Sequence, residues 1–397
     1  MRFTALMTIA VLLPLADAND ELGKPVRIVN QNLPHAAPFL ADVNNDGKQD
    51  LLDGLYRDDP YTGARVKLFR NIGTEAAPKF GEGEFQQAGG NDATCDEFCY
   101  TGFGPQIVDF NGDNINDLIT GSRDCQLYIF DGRRNRAFGT ARRVTYVPHE
   151  KTQPRFRYNS RIFAYDWDND GDQDLLSARN ASIWLIRNDG DANTPLFAQP
   201  EELVTQERGE PTFKAPVVAD WNNDGRNDLL VARSDGSVAW HRNTAATDAE
   251  PALGRARQLI GAGVAALRPR DDDGAFESPK LPTSDIRLCV ADFNSDGRLD
   301  LIIGDAWMVH GRSARRTPDE VERSRMLSRE ESKLRGQLRE LSNAPLNESE
   351  VARQQRELRI RALTLECAKI WRERNTDSRS SRHGSVWFMQ RLAVTTD

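Results

Sequence analysis

The feature that most constrains this chain is a nine-residue loop that recurs five times, each copy set between two short apolar runs. The fourth copy reads Asp220-Trp221-Asn222-Asn223-Asp224-Gly225-Arg226-Asn227-Asp228 and runs straight into Leu229-Leu230-Val231. The copies begin at Asp42, Asp109, Asp166, Asp220 and Asp292. Side-chain oxygens occupy positions 1, 3, 5 and 9 throughout: Asp42, Asn44, Asp46 and Asp50; Asp109, Asn111, Asp113 and Asp117; Asp166, Asp168, Asp170 and Asp174; Asp220, Asn222, Asp224 and Asp228; Asp292, Asn294, Asp296 and Asp300. Position 7 varies (Lys48, Ile115, Asp172, Arg226, Arg298), which suits a residue contributing only its backbone carbonyl. Position 6 is Gly47, Gly171, Gly225 or Gly297 where the loop must turn sharply, and Asn114 in the second copy. Asn is the next residue after Gly to tolerate positive φ.

Oxygen ligands at alternate positions of a curling loop are what a hard cation such as calcium requires. Without metal, four side-chain oxygens would converge unneutralised in five places. The sequence therefore predicts up to five calcium ions, each held by positions 1, 3, 5 and 9 and the carbonyl of position 7. An EF-hand is excluded: it needs a bidentate Glu at position 12 and flanking helices. Position 12 here is Asp53, Thr120, Ser177, Val231 or Ile303, each within a strand-like run.

Each loop sits in the middle of a longer unit. A short strand precedes it, as in Pro38 to Ala41 and Pro216 to Ala219. A second follows at once, and a third comes after a turn, as in Val66 to Phe69 and Val238 to Trp240. Asn71, Asn188 and Asn243 then mark turns toward a fourth strand. Short apolar, β-branched and aromatic runs between Gly, Asn, Asp and Pro clusters are the strand signature. Successive loops start 67, 57, 54 and 72 residues apart, enough for one four-stranded blade plus connections. The expected fold is all-β: a β-propeller of five four-stranded blades over residues 24–310.

The fifth unit is interrupted after Asp305-Ala306-Trp307-Met308. A charged, helical stretch follows, an αα-hairpin inserted over 311–377. Thr317-Pro318-Asp319-Glu320 caps its first helix, with Pro at the first helical position. Leu327, Leu334, Leu338 and Leu341 form one stripe. Asn343 to Pro345 break the helix, and Asn347 with Glu350 form a capping box that restarts it. Val351, Leu358 and Leu365, at sevens, are the expected seam of the second helix, with Leu363 and Ile370 beside them. Beyond the insertion, Gly384-Ser385-Val386-Trp387-Phe388 matches Gly236-Ser237-Val238-Ala239-Trp240, so 378–394 supplies the missing third strand. Val26 to Val29 then supplies its fourth and closes the ring.

Met1-Arg2, the apolar run Phe3 to Leu15 and Ala16-Asp17-Ala18 read as a signal peptide over 1–18, too short to span a bilayer. Export to the cell surface, the periplasm or the medium is expected. The net charge of −8 is a property of the loops: their four-position sets hold 16 of the 60 acidic residues. The remaining 44 face 52 basic ones. No basic cluster with interleaved aromatics points to nucleic acid. Cys95 pairs with Cys99 or with Cys125 after export, while Cys289 and Cys367 pack as small hydrophobes. A zinc site from Cys95, Cys99 and Cys125 would lack a fourth ligand. The histidines, His35, His149, His241, His310 and His383, are scattered, and His35 and His241 read as surface or turn residues. Trp167, Trp184, Trp221, Trp240 and Trp387 recur at fixed points of the units, as residues packed between blades do.

The motif Asp-x-Asn/Asp-x-Asp-Gly-x-x-Asp-Leu, with Phe103-Gly104-Pro105 before its second copy, resembles the FG-GAP/VCBS repeat family of integrin-α-like propellers. The helical insertion and the Cys-containing approaches to blades two and five look like a branch of exported bacterial VCBS proteins. The resemblance implies Ca²⁺ in the loop between the first two strands of each blade and a propeller that serves as a binding or scaffold module. The expected ligand is a protein or a carbohydrate. The alternative is a carbohydrate-active enzyme, a polysaccharide lyase or hydrolase, on the same scaffold. No paired histidines, HExxH or nucleophile elbow marks a catalytic centre.

Overall fold

The computed structural model describes residues 22–33, 35–56, 63–95, 102–122, 126–145, 162–179, 181–245, 251–263, 267–269, 279–310, 317–342, 349–375 and 381–392. The segment read as a signal peptide lies outside them, as do Cys99 and Cys125, the candidate partners of buried Cys95.

The chain opens with β1 (Val26–Leu33), whose partner comes last. Blade one is β2 (Pro38–Ala41), β3 (Asp50–Gly54), β4 (Ala64–Asn71) and β5 (Phe80–Phe85). A two-residue hairpin, β6 (Gln87–Ala88) with β7 (Asn91–Asp92), follows, and β8 (Thr94–Cys95) pairs back onto β4. Blade two is β9 (Gln106–Val108), β10 (Asp117–Ser122), β11 (Gln126–Phe130) and β12 (Arg142–Thr145). Blade three is β13 (Ile162–Tyr165), β14 (Asp174–Arg179), β15 (Ser182–Ile186) and β16 (Glu201–Thr205). Blade four is β17 (Phe213–Ala219), β18 (Asp228–Arg233), β19 (Val238–His241) and β20 (Arg257–Ile260). β21 (Leu267–Pro269) then runs parallel to the far end of a blade-five strand. Blade five comprises β22 (Asp285–Ala291), β23 (Asp300–His310), β24 (Ser381–Met389) and the returning β1. The protein is a five-bladed β-propeller closed by pairing its two ends. β21 and β8, extra pairings outside the four-strand plan, have no counterpart in the repeat.

The two aliphatic residues behind each loop explain the closure. On a strand, neighbours point to opposite faces, and here both faces are buried. Leu52 and Leu118 meet at the seam of blades one and two, and Ile119 and Leu175 at that of two and three. Leu176 and Leu229 meet between three and four, and Leu230 and Leu301 between four and five. Ile302 and Leu51 meet between five and one. Five hydrophobic clusters fill five seams, so each aliphatic pair is shared between two neighbours. Trp167 occupies the third seam, and Trp221, Trp240 and Trp387 the fourth, as packing residues. In three blades an arginine of the outermost strand lies opposite an aromatic of the third: Arg27 over Trp387, Arg143 over Tyr128 and Arg257 over Trp240. These cation–π rungs pin the outer strand, where blade sheets end.

The insertion is the expected helical hairpin, α1 (Pro318–Ser342) and α2 (Glu350–Asn375). Thr317 caps α1 reciprocally: its hydroxyl accepts the Glu320 N–H, and its own N–H donates to the Glu320 carboxylate at 2.7 Å. Asn343 to Pro345 and Asn347 lie outside the described residues, and Ser349 Oγ accepts the Ala352 N–H at the start of α2. The seam differs from the expected one. Leu334 and Leu338 pack on Leu363, Cys367, Ala368 and Ile370, whereas Val351, Leu358 and Leu365 are 65%, 68% and 63% exposed. Two stripes compete on α2. The one that includes small Cys367 and Ala368 lets the helices approach closely and wins. Glu331, buried between them, is held by Arg335 at 2.7 Å and Arg374 at 2.5 Å. The hairpin thus has its own core. Val309 and Ser381 are register partners where it leaves and rejoins the sheet. Deleting 317–376 behind a short linker is therefore expected to leave the ring folded, with a far-UV spectrum of pure β type. Aggregation of that variant would show that the hairpin is needed for closure.

Candidate metal centres

Each Asp loop joins the first two strands of a blade, and its backbone is shaped by its own side chains. One oxygen of position 1 accepts the N–H of position 5 at 2.9–3.2 Å in all five copies. The other accepts the N–H of position 6 at 2.7–3.1 Å. Position 5 in turn accepts the N–H of position 7 at 2.8–3.1 Å. Where position 3 is Asn (Asn44, Asn111, Asn222, Asn294), its carbonyl also accepts the position-5 N–H.

Such curvature needs left-handed residues. Position 6 is left-handed throughout, Asn114 included, as expected. Position 4, which the sequence reading passed over, is left-handed too: Asn45, Gly112, Asn169, Asn223 and Ser295. Its signal was present, because three Asn and one Gly in five copies is the composition of an αL position.

Position 9 differs from the other ligand positions in being fully buried: Asp50, Asp117, Asp174, Asp228 and Asp300. Each ties the loop to the end of the third strand. Their carboxylates accept N–H groups of Asn71, Gly132, Asn188, Asn243 and Arg391 at 2.7–2.8 Å. Asp117, Asp174 and Asp300 also accept the N–H of position 2, from Phe110, Trp167 and Phe293. Desolvation pushes Asp117, Asp174, Asp228 and Asp300 up to about 6 against the pull of these N–H donors. The turn Asn residues complete the bracket. The Asn71, Asn188 and Asn243 amide oxygens each accept two backbone N–H groups of the following turn.

Position 7 is more than a carbonyl donor. Lys48 Nζ lies 3.6 Å from Asp46 and 3.0 Å from the Asn71 carbonyl. Arg226 reaches Asp224 at 2.7 Å and the Asn243 carbonyl at 3.2 Å, and Arg298 reaches Asp296 at 2.8 Å and the Arg391 carbonyl at 3.3 Å. Despite desolvation, loop hydrogen bonds and these cations hold Asp46, Asp224 and Asp296 below the usual carboxylate range. The third loop has Asp172 there instead. One oxygen of each of Asp166, Asp168 and Asp170 lies within 4.8 Å of the others, with Arg187 3.1 Å from Asp168. Desolvation, then the charge of Asp170, pushes Asp172 up to about 6, and its buried Oδ1 has no hydrogen-bond partner. These donors fit a divalent cation: hard, anionic, convergent and short of positive charge.

The remaining polar candidates are structural. Asp53, at position 12, accepts the Ala37 N–H at 2.9 Å. Contrary to expectation, His35 and His241 are buried, His241 with Nδ1 3.1 Å from the Gly254 carbonyl and its ring edge-on to Phe213. On the propeller axis, the inner strands enclose a cavity of about 240 Å³. Its described lining is apolar apart from Gln106, Tyr165 and Arg287, and contains no carboxylate. Gln106 completes the wall by acting as a strand edge, its amide pairing both the N–H and the carbonyl of Ala164.

A ring of four-stranded blades with an Asp loop at the first turn of each defines the class: a propeller of Asp-loop repeats. Residues 166–231 and 220–303 match the FG-GAP-like repeat family, so the stretch from the third Asp loop to the fifth carries FG-GAP repeats. Among curated proteins there is no match. Similar solved structures include a lectin from Agrocybe aegerita that recognises non-reducing terminal N-acetylglucosamine. It is 18% identical over 68% of this chain, with a TM-score of 0.36, and this chain spans 60% of its length. A GH43_1 enzyme from Xanthomonas citri complexed with xylose is 13% identical over 71% of this chain and 85% of its own, with a TM-score of 0.46. The catalytic domain of a Coprinopsis cinerea GH62 α-L-arabinofuranosidase is 12% identical over 72% and 91%, also with a TM-score of 0.46. Likeness at this level carries nothing about activity. Among the described residues, no helix is long and apolar enough to cross a membrane.

Proposed function

We propose that this protein is an exported, calcium-stabilised propeller that acts as a binding or scaffold module for a protein or carbohydrate ligand. The observation that carries the reading is the way the acidic residues are used. Their position-1 and position-9 carboxylates are spent on backbone N–H groups that shape the loop and lock it to the third strand. Among the described residues, no carboxylate lines the axial cavity, whereas glycoside hydrolysis needs a pair of them flanking a cleft. Bound at the third loop, calcium would be held by Asp166, Asp168, Asp170 and Asp174 with the carbonyl of Asp172, and would supply the positive charge that this loop lacks. The other loops offer their corresponding positions. Export places the protein where calcium is millimolar, the range that weak extracellular sites need.

The test is a glycan array and a pull-down with the chain from residue 19 onward, in calcium and in EGTA. Saturable capture of a defined glycan or protein in calcium, lost in EGTA, is expected. Release of new reducing ends from a polysaccharide by the purified protein would overturn the binding reading in favour of the enzyme.

A further inference from the structure

The five loops share a ligand pattern but not an electrostatic setting. We propose that the resident cations of this chain rank its loops for calcium, the third loop binding most tightly and the first and fourth most weakly, with Arg226 and Arg242 as the residues that weaken the fourth. This rests on the calcium reading and assigns these side chains a role in specificity.

The geometry repeats. In the first, fourth and fifth loops, the position-7 cation bridges the position-5 carboxylate and the carbonyl that ends the third strand. It sits on an oxygen donor that the ion would share. The fourth loop carries two such cations, since Arg242 also reaches Asp224, at 3.0 Å. Asp224 is nearly buried while Arg226 and Arg242 are about one-third exposed, so solvent screens the pairs less than at an open surface. The second loop has Ile115 at position 7, which packs toward Gly132. The third has five carboxylates from Asp166 to Asp174 and, among the described residues, Arg187 alone pairs with them, 3.1 Å from Asp168. Oxygen-loop affinity for Ca²⁺ is tuned by ligand charge count. The first loop also has a second cation, Arg70, 3.2 Å from position-9 Asp50, so counting each loop's carboxylates against the cations that touch them gives the order third, second, fifth, then first and fourth together.

The chain supplies its own reporters. Position 2 is Trp167 in the third loop and Trp221 in the fourth, but Val43, Phe110 and Phe293 elsewhere. Tb³⁺, a calcium surrogate, luminesces when excited through a nearby Trp. Phe is native to this position in two loops, so Trp167→Phe and Trp221→Phe silence one reporter each while keeping an aromatic ring at the seam. Titrating Tb³⁺ into the full chain, then displacing it with Ca²⁺, is expected to give two Trp-sensitised phases at least ten-fold apart in midpoint. Trp167→Phe removes the tight phase, and Trp221→Phe lowers the weak one, to which Trp240 beside Asp228 also contributes. Arg226→Leu and Arg242→Leu should each tighten the weak phase about ten-fold and leave the tight phase unmoved, while Arg226→Lys keeps it weak. Melting in EGTA verifies that each variant is folded, and a variant that fails this is replaced by the other arginine's. Coincident phases, or an Arg226→Leu phase that weakens, would overturn the ranking while leaving calcium binding intact. Absence of Tb³⁺ and Ca²⁺ binding at both loops would overturn the calcium reading itself.

Discussion

Asp300→Ala will unlatch the closing strand and cost about 2–6 kcal/mol even in EGTA. Asp300 is completely buried, and its two oxygens accept the N–H of Phe293 at 3.1 Å and of Arg391 at 2.8 Å. Arg391 follows β24, the strand that carries the chain's far end to β1. Alanine leaves both N–H groups without their acceptor, and an unmade buried hydrogen bond costs about 1–3 kcal/mol each. Chelator removes any contribution from metal, so what remains is the bracket alone. Asp300→Asn, which keeps one acceptor, should lose roughly half as much. Denaturant melts give the free energies, and hydrogen exchange at β24 locates them: amides of Val386 to Met389 should lose protection before those of β10. Unchanged stability of Asp300→Ala in EGTA would mean that position 9 serves the ion only.

Gly54→Ala is the second large effect. An added Cβ at Gly54 would lie 1.9 Å from the Phe103 carbonyl oxygen and 2.6 Å from Pro105 Cδ, in the seam between blades one and two. Neither obstacle is a flexible side-chain tip, so the blades must part. Overpacking costs typically 1–3 kcal/mol and more against backbone, so a loss of about 3 kcal/mol or greater is expected. Gly304 repeats the situation at the seam of blades five and one, 2.4 Å from the Ala36 carbonyl oxygen. Gly261→Ala, whose Cβ would meet nothing nearer than 3.8 Å, is the control and should change stability by under about 0.5 kcal/mol. A Gly54→Ala protein as stable as the control would mean that the seam is looser than these distances allow.

Much of this molecule was legible because its sequence repeats. One Asp loop before Leu-Leu is ambiguous, but five in register determine the strands around them. The Gly384 to Phe388 match to Gly236 to Trp240 was enough to see that the ring closes through the N-terminal strand. What one repeat does not share with the others was harder to read. Heptad spacing put Val351, Leu358 and Leu365 at the hairpin seam. Spacing alone does not say which of two stripes fits the partner, and the stripe with Cys367 and Ala368 permits the closer approach. The variability of position 7 suggested indifference to side chain. Instead, Lys48, Arg226 and Arg298 reach back to the carboxylate two residues earlier, a contact visible only once the loop is curled. The burial of position 9 follows from its place as the first residue of a strand packed on both faces, a consequence of the ring and not of the loop.

Calcium binding is tested most directly by the melting temperature with and without metal. A ligand that binds only the folded state stabilises it by about 2.7 kcal/mol per site at one hundred times its Kd. Saturating Ca²⁺ should therefore raise the melting temperature well above that in EGTA. Asp168→Asn with Asp170→Asn in the third loop should abolish the largest part of the rise, and during progressive chelation of the wild type this loop should empty last. Superimposable melting curves in Ca²⁺ and EGTA would contradict the account.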